Sequence, residues 1–486
     1  MGSFSGKHVL VLGLGLHGGA VGNITWLASQ GARITVSDTK SREQLETSIQ
    51  KLSNIPGIEY LFGSQDEISL DGVDMILRNP AVPRKAVILQ KAREKNIPVV
   101  MDSNIFFDQV GRKRIIGITG SKGKTTTSHA IYHILKSIIS ETIAVGVDGV
   151  SPLGTLTLLS SAPIVFELSS WRLEALQEVH ASPHIAICTS IYQDHLNTYN
   201  SYEDYIQAKK QIIADQTEND IAILNYDDEI IRTWEQDVRG ELYWYSLKPL
   251  PSNLRGIWID NDSVCGNVIP AKAGIQESTT WMPDQVGHNN TSKTSAKICK
   301  VSDIPHTSPH ELRNKLPAIL LAVLFGASPE TIQQTVRSIP QLQHRMQLVR
   351  ELNGVQYIND TTATMPDATI AALTTMQEKP LILILGGSDK ALEFTSLAHA
   401  ISEHKNLKHL IWLPGTATLR MQQAIRSHTS AQMHDIATMQ EAVILAQKLA
   451  QAGDAVILSP GATSFGLFLH EFDRGDAFIS TVEQLR

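Results

Sequence analysis

Residues Ile115 to Ser128 read IIGITGSKGKTTTS. β-Branched residues end a strand, a glycine-rich loop follows, and Lys124 and Thr125 open a helix. A loop of this kind turns successive backbone N–H groups toward one point, and the helix N-terminus adds its positive end there. Its natural occupant is a polyphosphate, with Lys124 on the terminal phosphates and the Thr125 hydroxyl on Mg²⁺. Five residues separate Gly117 from Gly123, one more than in the general GxxxxGK[ST] pattern. The unit points to an α/β fold with an NTP site.

Length then sets the frame. A chain of 486 residues exceeds one domain, and at about 150 residues per domain it holds three. The expected segments are 1–108, 109–340 and 341–486. A hydrophobic content of 42% suffices for packed cores, and 19% charged residues argues against wholesale disorder. The formal charge of −7, with no dense Lys/Arg run, disfavours a nucleic-acid partner. Cys188, Cys265 and Cys299 form no CxxC pair, which suits a reducing cytosol. No apolar run approaches the roughly 18 residues of a membrane span, and no signal h-region opens the chain. The expectation is a soluble, cytoplasmic monomer.

In the first segment, KHVLVLGLGLHGG (Lys7 to Gly19) is a buried strand followed by Gly13, Gly15 and Gly18 in a GxGxxG pattern. A helix to Ser29 and a second strand, ARITVS, lead to Asp38. Taken alone, this βαβ unit with an acidic residue after its second strand reads as a nicotinamide dinucleotide site, with Asp38 on a ribose. The same glycines serve any pyrophosphate, and Asp38 as a turn cap is the structural alternative. IPVVMD (Ile97 to Asp102) reads as a strand, followed by Phe106 and Phe107.

In the central segment, PIVFELSSWRLEAL ends an apolar strand at Glu167, at the sheet edge where ligands bind. One carboxylate, one hydroxyl and phosphates suit Mg²⁺. A strand then ends near Thr189, a turn presents Asp194 and His195, and a helix carries Lys209. IWIDNDSV and SAKICKV read as two strands around a surface insertion, residues 265–295, rich in Asn, Ser, Thr, Gly and Pro. PHELRNKLPAILLAVLFG reads as an amphipathic helix. The last segment opens with His344-Arg345 and a hairpin turning at Asn353-Gly354, and continues through PLILILGGSDKALEF and DAVILSPGATSFGLF, two further strand–loop units.

In order, TGSKGKTTT, ELSSW, DHLN with YIQAK, HRM, DTTATM, LGGSDK and SPGATSF resemble the motifs of the Mur ligases, the ATP-dependent amide-forming enzymes of peptidoglycan synthesis, and most of all those of the D-glutamate-adding branch. The resemblance implies a Rossmann-like N-terminal domain, a P-loop ATPase-like central domain and a Rossmann-like C-terminal domain. It implies UDP-N-acetylmuramoyl-L-alanine on Gly15, Leu16, His17, Asp38, Thr39 and Asn79. ATP falls to Gly120, Ser121, Lys122, Gly123, Lys124, Thr125 and Thr126, with Asn314 at adenine, Arg345 at the phosphates and Asp360 at the ribose. Two Mg²⁺ ions are implied at Thr125, Glu167, His195 and Lys209, the lysine carbamylated by CO₂ into a carboxylate-like ligand. Glutamate falls to Thr364, Lys390, Ser464, Phe465 and Phe472. The catalytic set is Lys124, His195, Lys209 and Arg345. Glu311 and Thr362 depart from the family pattern, where Asn and Lys are usual.

The expected reaction is ATP-dependent addition of D-glutamate to the UDP-linked substrate through an acyl phosphate, with release of ADP and phosphate. Ligases of the same family that add L-glutamate or diaminopimelate, and folylpolyglutamate synthase, are the near alternatives. A nicotinamide-dependent dehydrogenase, resting on Gly13, Gly15 and Gly18, leaves Lys124 and Lys209 unexplained. A catalytically silent ATP-binding protein is the third class, suggested by Glu311 and Thr362.

Overall fold

The computed structural model describes residues 3–16, 18–80, 82–158, 160–192, 199–268, 296–305, 308–389, 392–464 and 466–486. The chain forms two compact units, Met1–Ile339 and Pro340–Arg486. Among the described residues no helix is long and apolar enough to cross a membrane.

The first unit contains two sheets. Strands β1 (His8–Leu12), β2 (Arg33–Asp38), β3 (Glu59–Phe62), β4 (Met75–Arg78) and β5 (Val99–Val100) form an all-parallel sheet of order β3-β2-β1-β4-β5. The apolar run of β1 is buried almost throughout, as a central parallel strand covered on both faces requires. The order reverses at β1, so the glycine loop after it lies at the point where such sheets bind ligands. The expected strand Ile97 to Asp102 is shorter. Only Val99 and Val100 pair, because Asp102 already opens the Asp102–Val110 helix.

The second sheet comprises β6 (Ile115–Thr119), β7 (Ile143–Val145), β8 (Ile164–Glu167), β9 (Ile185–Cys188), β10 (Ile221–Asn225), β11 (Glu241–Ser246), β12 (Gly256–Asp260), β13 (Ser263–Gly266) and β14 (Ala296–Lys300). Its order is β14-β13-β12-β11-β10-β9-β6-β8-β7. β7 to β12 and β6 run parallel, and β13 and β14 extend the edge antiparallel. IWIDNDSV is thus not one strand but a hairpin, turning at Asn261 in the left-handed region (φ 52°), and Cys265 pairs within β13. Residues 269–295 of the expected insertion lie outside the described residues.

The two sheets share one apolar core. Phe106 and Phe107 of the Asp102–Val110 helix meet Phe166 of β8, with ring centroids 5.3 and 6.2 Å apart. The Pro309–Leu324 helix is not amphipathic in its second half: every residue from Lys315 to Leu324 is buried. It lies against the Lys124–Ile138 helix and the sheet behind it.

The second unit has six strands, β15 (Gln347–Leu352), β16 (Val355–Asn359), β17 (Leu381–Leu385), β18 (Leu407–Trp412), β19 (Gln432–Asp435) and β20 (Ala455–Leu458). The order is β15-β16-β20-β17-β18-β19. All neighbours are parallel except the β15–β16 hairpin. Its turn carries Asn353 and Gly354, both at positive φ, as the preferred two-residue hairpin turn needs. The loops after β16, β17 and β20 therefore leave from the same edge of three adjacent strands.

Candidate active site

The phosphate loop joins β6 to the Lys124–Ile138 helix. It lies where the sheet order reverses, between β6 and β9, and the chain after β9 clasps it. Ser121 N–H donates to Ser190 O (2.6 Å), and Lys122 N–H to Ser190 Oγ (3.2 Å). Thr189 Oγ1 donates to Lys122 O at 2.5 Å. That clasp explains Gly120, where a Cβ would overlap Thr189 Oγ1, and φ is 147°. At Gly123 (φ 86°) a Cβ would overlap the Asn314 side chain, so Asn314 lies against the loop. Thr127 Oγ1 donates to Asn314 O (2.8 Å), tying the two helices together.

Two ammonium groups lie on this loop. Lys124 Nζ donates to Gly120 O (2.9 Å) and Ser121 O (3.2 Å). Lys209 Nζ, from the Tyr202–Ala214 helix, donates to the same Gly120 O at 2.9 Å and stands 4.9 Å from the Tyr205 ring centroid. Lys209 is only 2% exposed. A cation so deep beside a loop built for phosphate needs a reason, because burying charge is costly. Tyr205 OH shares a 2.9 Å hydrogen bond with Ser121 Oγ.

Glu167 ends β8, one strand away, paired in register with Ile118. Its Oε2 is buried and has no hydrogen-bond partner among the described residues. A buried carboxylate oxygen left bare fits a hard cation. Its backbone is fixed: Arg172 Nη1 donates to Glu167 O (3.3 Å), while Arg172 also grips Asp102 in a bidentate pair of 2.9 and 2.7 Å. Thr125 and Thr126 open the helix at the loop, whereas His195 lies outside the described residues. The donors present fit Mg²⁺.

In the first sheet, the glycine loop closes on its own chain. Leu14 N–H and Gly15 N–H donate to one Asp38 oxygen at 2.9 and 3.0 Å, and Lys40 N–H donates to the other at 2.9 Å. Asp38 is buried, while Thr39 beside it is exposed. Asn79, after β4, donates from Nδ2 to Gly13 O (3.2 Å). Leu16 is half-buried next to Gly15, and His17 lies outside the described residues.

In the second unit, three loops knit together at the sheet edge. Gly461 N–H donates to Ala363 O (2.8 Å), Gly386 N–H to Pro460 O (2.9 Å), and Ser388 N–H to Thr463 O (2.8 Å). Thr364 and Ser464 thus share one edge. Ser464 Oγ is buried without a hydrogen-bond partner among the described residues. Asp360 accepts from Ser459 Oγ (2.8 Å) and Met346 N–H (3.2 Å), which joins it to the turn bearing Arg345. Thr362, standing where a lysine is common, donates from Oγ1 to His344 O (3.0 Å). Phe472 packs its ring 5.5 Å from His344. Lys390 and Phe465 lie outside the described residues.

Sequence reasoning missed the residues that brace these loops. Thr189 and Ser190 leave no local signature, since their partners lie about 70 positions away. Arg474 was also missed. It is buried, and its guanidinium donates to Thr361 Oγ1, Thr361 O and Ala462 O at 3.0, 2.8 and 3.1 Å. Burial lowers its pKa to about 10. It binds two of the three loops together with no carboxylate in hydrogen-bond contact among the described residues.

Family models match the chain in three consecutive stretches: a MurD-like N-terminal domain of Mur ligases at residues 7–101, the Mur ligase middle domain at 118–319, and the glutamate ligase domain of Mur ligases at 344–461. The chain is 37% identical to the UDP-N-acetylmuramoylalanine–D-glutamate ligase of Roseiflexus sp. (strain RS-1), over 99% of both chains. It is 31% identical to the ligase of the same name from Alkaliphilus metalliredigens, over 99% of this chain and 98% of that one. Among solved structures, it resembles UDP-N-acetylmuramate-alanine ligase from Thermotoga maritima, with a TM-score of 0.60 at 17% identity over 98% and 99% of the two chains. MurF ligase from the same organism, solved in complex with ADP, gives 0.55 at 15% identity over 93% and 95%.

Proposed function

The chain belongs to the Mur ligase family, and on that premise we propose that it joins D-glutamate to UDP-N-acetylmuramoyl-L-alanine, with ATP converted to ADP and phosphate, in the cytoplasmic assembly of peptidoglycan. The proposed domains are 1–108 for the UDP-substrate, 109–340 for ATP and 341–486 for the incoming amino acid. The observation that carries the reading is the phosphate loop of β6, with two lysine ammonium groups on Gly120 O and the bare Glu167 oxygen one strand away.

The substrate carboxylate is a poor acylating group until a phosphoryl group is placed on it. The β–γ phosphoryl bond of ATP breaks, the carboxylate oxygen takes the phosphoryl group, and ADP leaves. The glutamate amine then attacks the acyl carbon and loses a proton, and the tetrahedral intermediate collapses to amide and phosphate. Lys124 holds the terminal phosphates and offsets the charge that develops on them, with Arg345 in the same role. By the family resemblance, Asn314 is assigned to the adenine of ATP and Asp360 to its ribose. Thr125, Glu167, His195 and Lys209 would hold Mg²⁺, which supplies Lewis-acid neutralisation of phosphate charge when bound. Lys209 as a carbamate keeps an N–H for Gly120 O and gains oxygens for metal. Gly15, Leu16, His17, Asp38, Thr39 and Asn79 take the UDP half, and Thr364, Lys390, Ser464, Phe465 and Phe472 the glutamate.

ADP release with UDP-N-acetylmuramoyl-L-alanine and each glutamate enantiomer tests the reading. Turnover with D-glutamate is expected. Turnover with L-glutamate alone, or with neither, would overturn it.

A further inference from the structure

A second polar cleft lies away from the phosphate loop, at the edge of the first sheet. It forms a cavity of about 210 Å³ between the β4–β5 region and the Ser170–Gln177 helix, both within the first unit. Arg78, Arg84 and Arg93 line one side, and Glu174 and Glu178 face them. Arg84 pairs with Glu174. Arg78 spends its Nε on Val82 O at 2.9 Å, which leaves its Nη2 buried without a hydrogen-bond partner among the described residues. Glu174 Oε2 is in the same condition.

The wall of one small cleft therefore holds one buried donor and one buried acceptor atom without a hydrogen-bond partner among the described residues. Buried polar groups left bare are uncommon and call for a ligand or a role. Burial pushes the Glu174 carboxyl above its ordinary value, against the opposing pull of Arg84, Arg78 and the Tyr199 hydroxyl. A simple oxyanion would satisfy the arginines but face two carboxylates. A simple amine would satisfy Glu174 but face three guanidinium groups. A ligand that carries both charges answers both orphan atoms. We propose that this cleft binds a free α-amino acid, its carboxylate on Arg78 Nη2 and its ammonium on Glu174 Oε2. All of its lining residues belong to the first unit, and none is among the residues assigned to glutamate.

Calorimetry on the full chain with the neutral amino acids glycine, L-alanine and L-serine tests this, since none carries the side-chain carboxylate that the glutamate loops take. At least one should bind one-to-one, and Arg78→Lys and Glu174→Gln should each weaken it at least about tenfold, the loss expected for a charge-assisted hydrogen bond. Arg78→Lys keeps the charge while removing the Nη groups and the Nε–H that donates to Val82 O, and it decides the question if Glu174→Gln fails to fold. ADP should bind both variants as it binds the parent. The proposal fails if none of the three produces heat at millimolar concentration, if binding survives the substitutions unchanged, or if succinate, inorganic phosphate or methylammonium binds as tightly.

Discussion

The chain builds two strand–glycine loop–helix units, after β1 and after β6, and they are opposites in charge. After β1, the N–H groups of Leu14 and Gly15 are already taken by the Asp38 carboxylate, which stands where an anion would sit. After β6, the groups on the loop are the ammonium ions of Lys124 and Lys209, and the nearby Glu167 oxygen is bare. Both loops spend N–H groups within the chain, but the first turns them on a carboxylate and the second on the neutral Ser190, with two lysines beside it. Only in that sense is the first closed and the second open. A glycine pattern alone does not name a ligand; the charge beside it does. Because a UDP-linked substrate and a nicotinamide dinucleotide both carry a diphosphate, GxGxxG does not by itself tell them apart.

The largest expected effect tests the frame that holds Glu167 in place. Burial pushes the Asp102 carboxyl up, but the charge and hydrogen bonds of Arg172 outweigh it and hold its pKa below the ordinary value. A lowered carboxyl pKa stabilises the fold above the ordinary carboxylate range, and that stability is lost as pH falls through the folded value. Arg172 is in turn held above its ordinary value against the pull of burial, so its contribution persists until strongly alkaline pH. Breaking a buried pair from one side costs about 3–5 kcal/mol. Urea melts of Asp102→Asn should show a loss of that order at neutral pH that narrows in acid. A loss below about 1 kcal/mol would mean that the pair behaves as a surface bridge.

The open loop is tested next. Lys124→Ala should lower kcat about 10²- to 10³-fold with the fold intact, the cost of removing one preorganised stabiliser of developing charge. Near-parental turnover at saturating ATP would make this loop as closed as the first. Lys209→Ala should be nearly inactive, because the proposed carbamate is itself a metal ligand. It should regain activity with acetate or formate, which replace a carbamate. Full activity without either additive would reduce Lys209 to a packing residue.

For the closed loop, Asp38→Asn keeps the shape and removes the charge. The KM for the UDP-substrate should rise about tenfold, the worth of a charge-assisted hydrogen bond, while the KM for ATP stays put. Calorimetry should show no heat from NAD with the parent or the variant. Heat from NAD with the parent would revive the dehydrogenase reading of the first loop.

How much of this was legible in the sequence follows from range. The strand–loop–helix units, Glu167 at a strand end and Lys209 on a helix are local patterns, and they lie in the elements expected. Asp260, Asn261 and Asp262 are turn-favouring residues, but strand-like flanks on both sides made IWIDNDSV read as one run. The all-round burial of Leu316 to Leu324 depends on what packs over it, which periodicity cannot supply. Thr189, Ser190 and Arg474 act across long separations, and nothing near them in the chain reports it.

The smallest effect is the sharpest test, because it separates a bare polar group held for a ligand from one that is merely buried. Ser464 Oγ, like Glu167 Oε2, lacks a hydrogen-bond partner among the described residues, and the loops around it are fixed by backbone bonds that do not involve its hydroxyl. Removing a hydroxyl that bonds nothing loses no protein hydrogen bond, so Ser464→Ala should leave the melting temperature unchanged or slightly raised. If the hydroxyl serves the glutamate carboxylate, the same variant should raise the KM for glutamate about fivefold to tenfold, the worth of roughly 1–1.5 kcal/mol for one hydrogen bond. The KM values for ATP and the UDP-substrate should not move. A destabilised Ser464→Ala with unchanged glutamate KM would show that the hydroxyl works for the fold, and the glutamate assignment at the loop after β20 would fall with it.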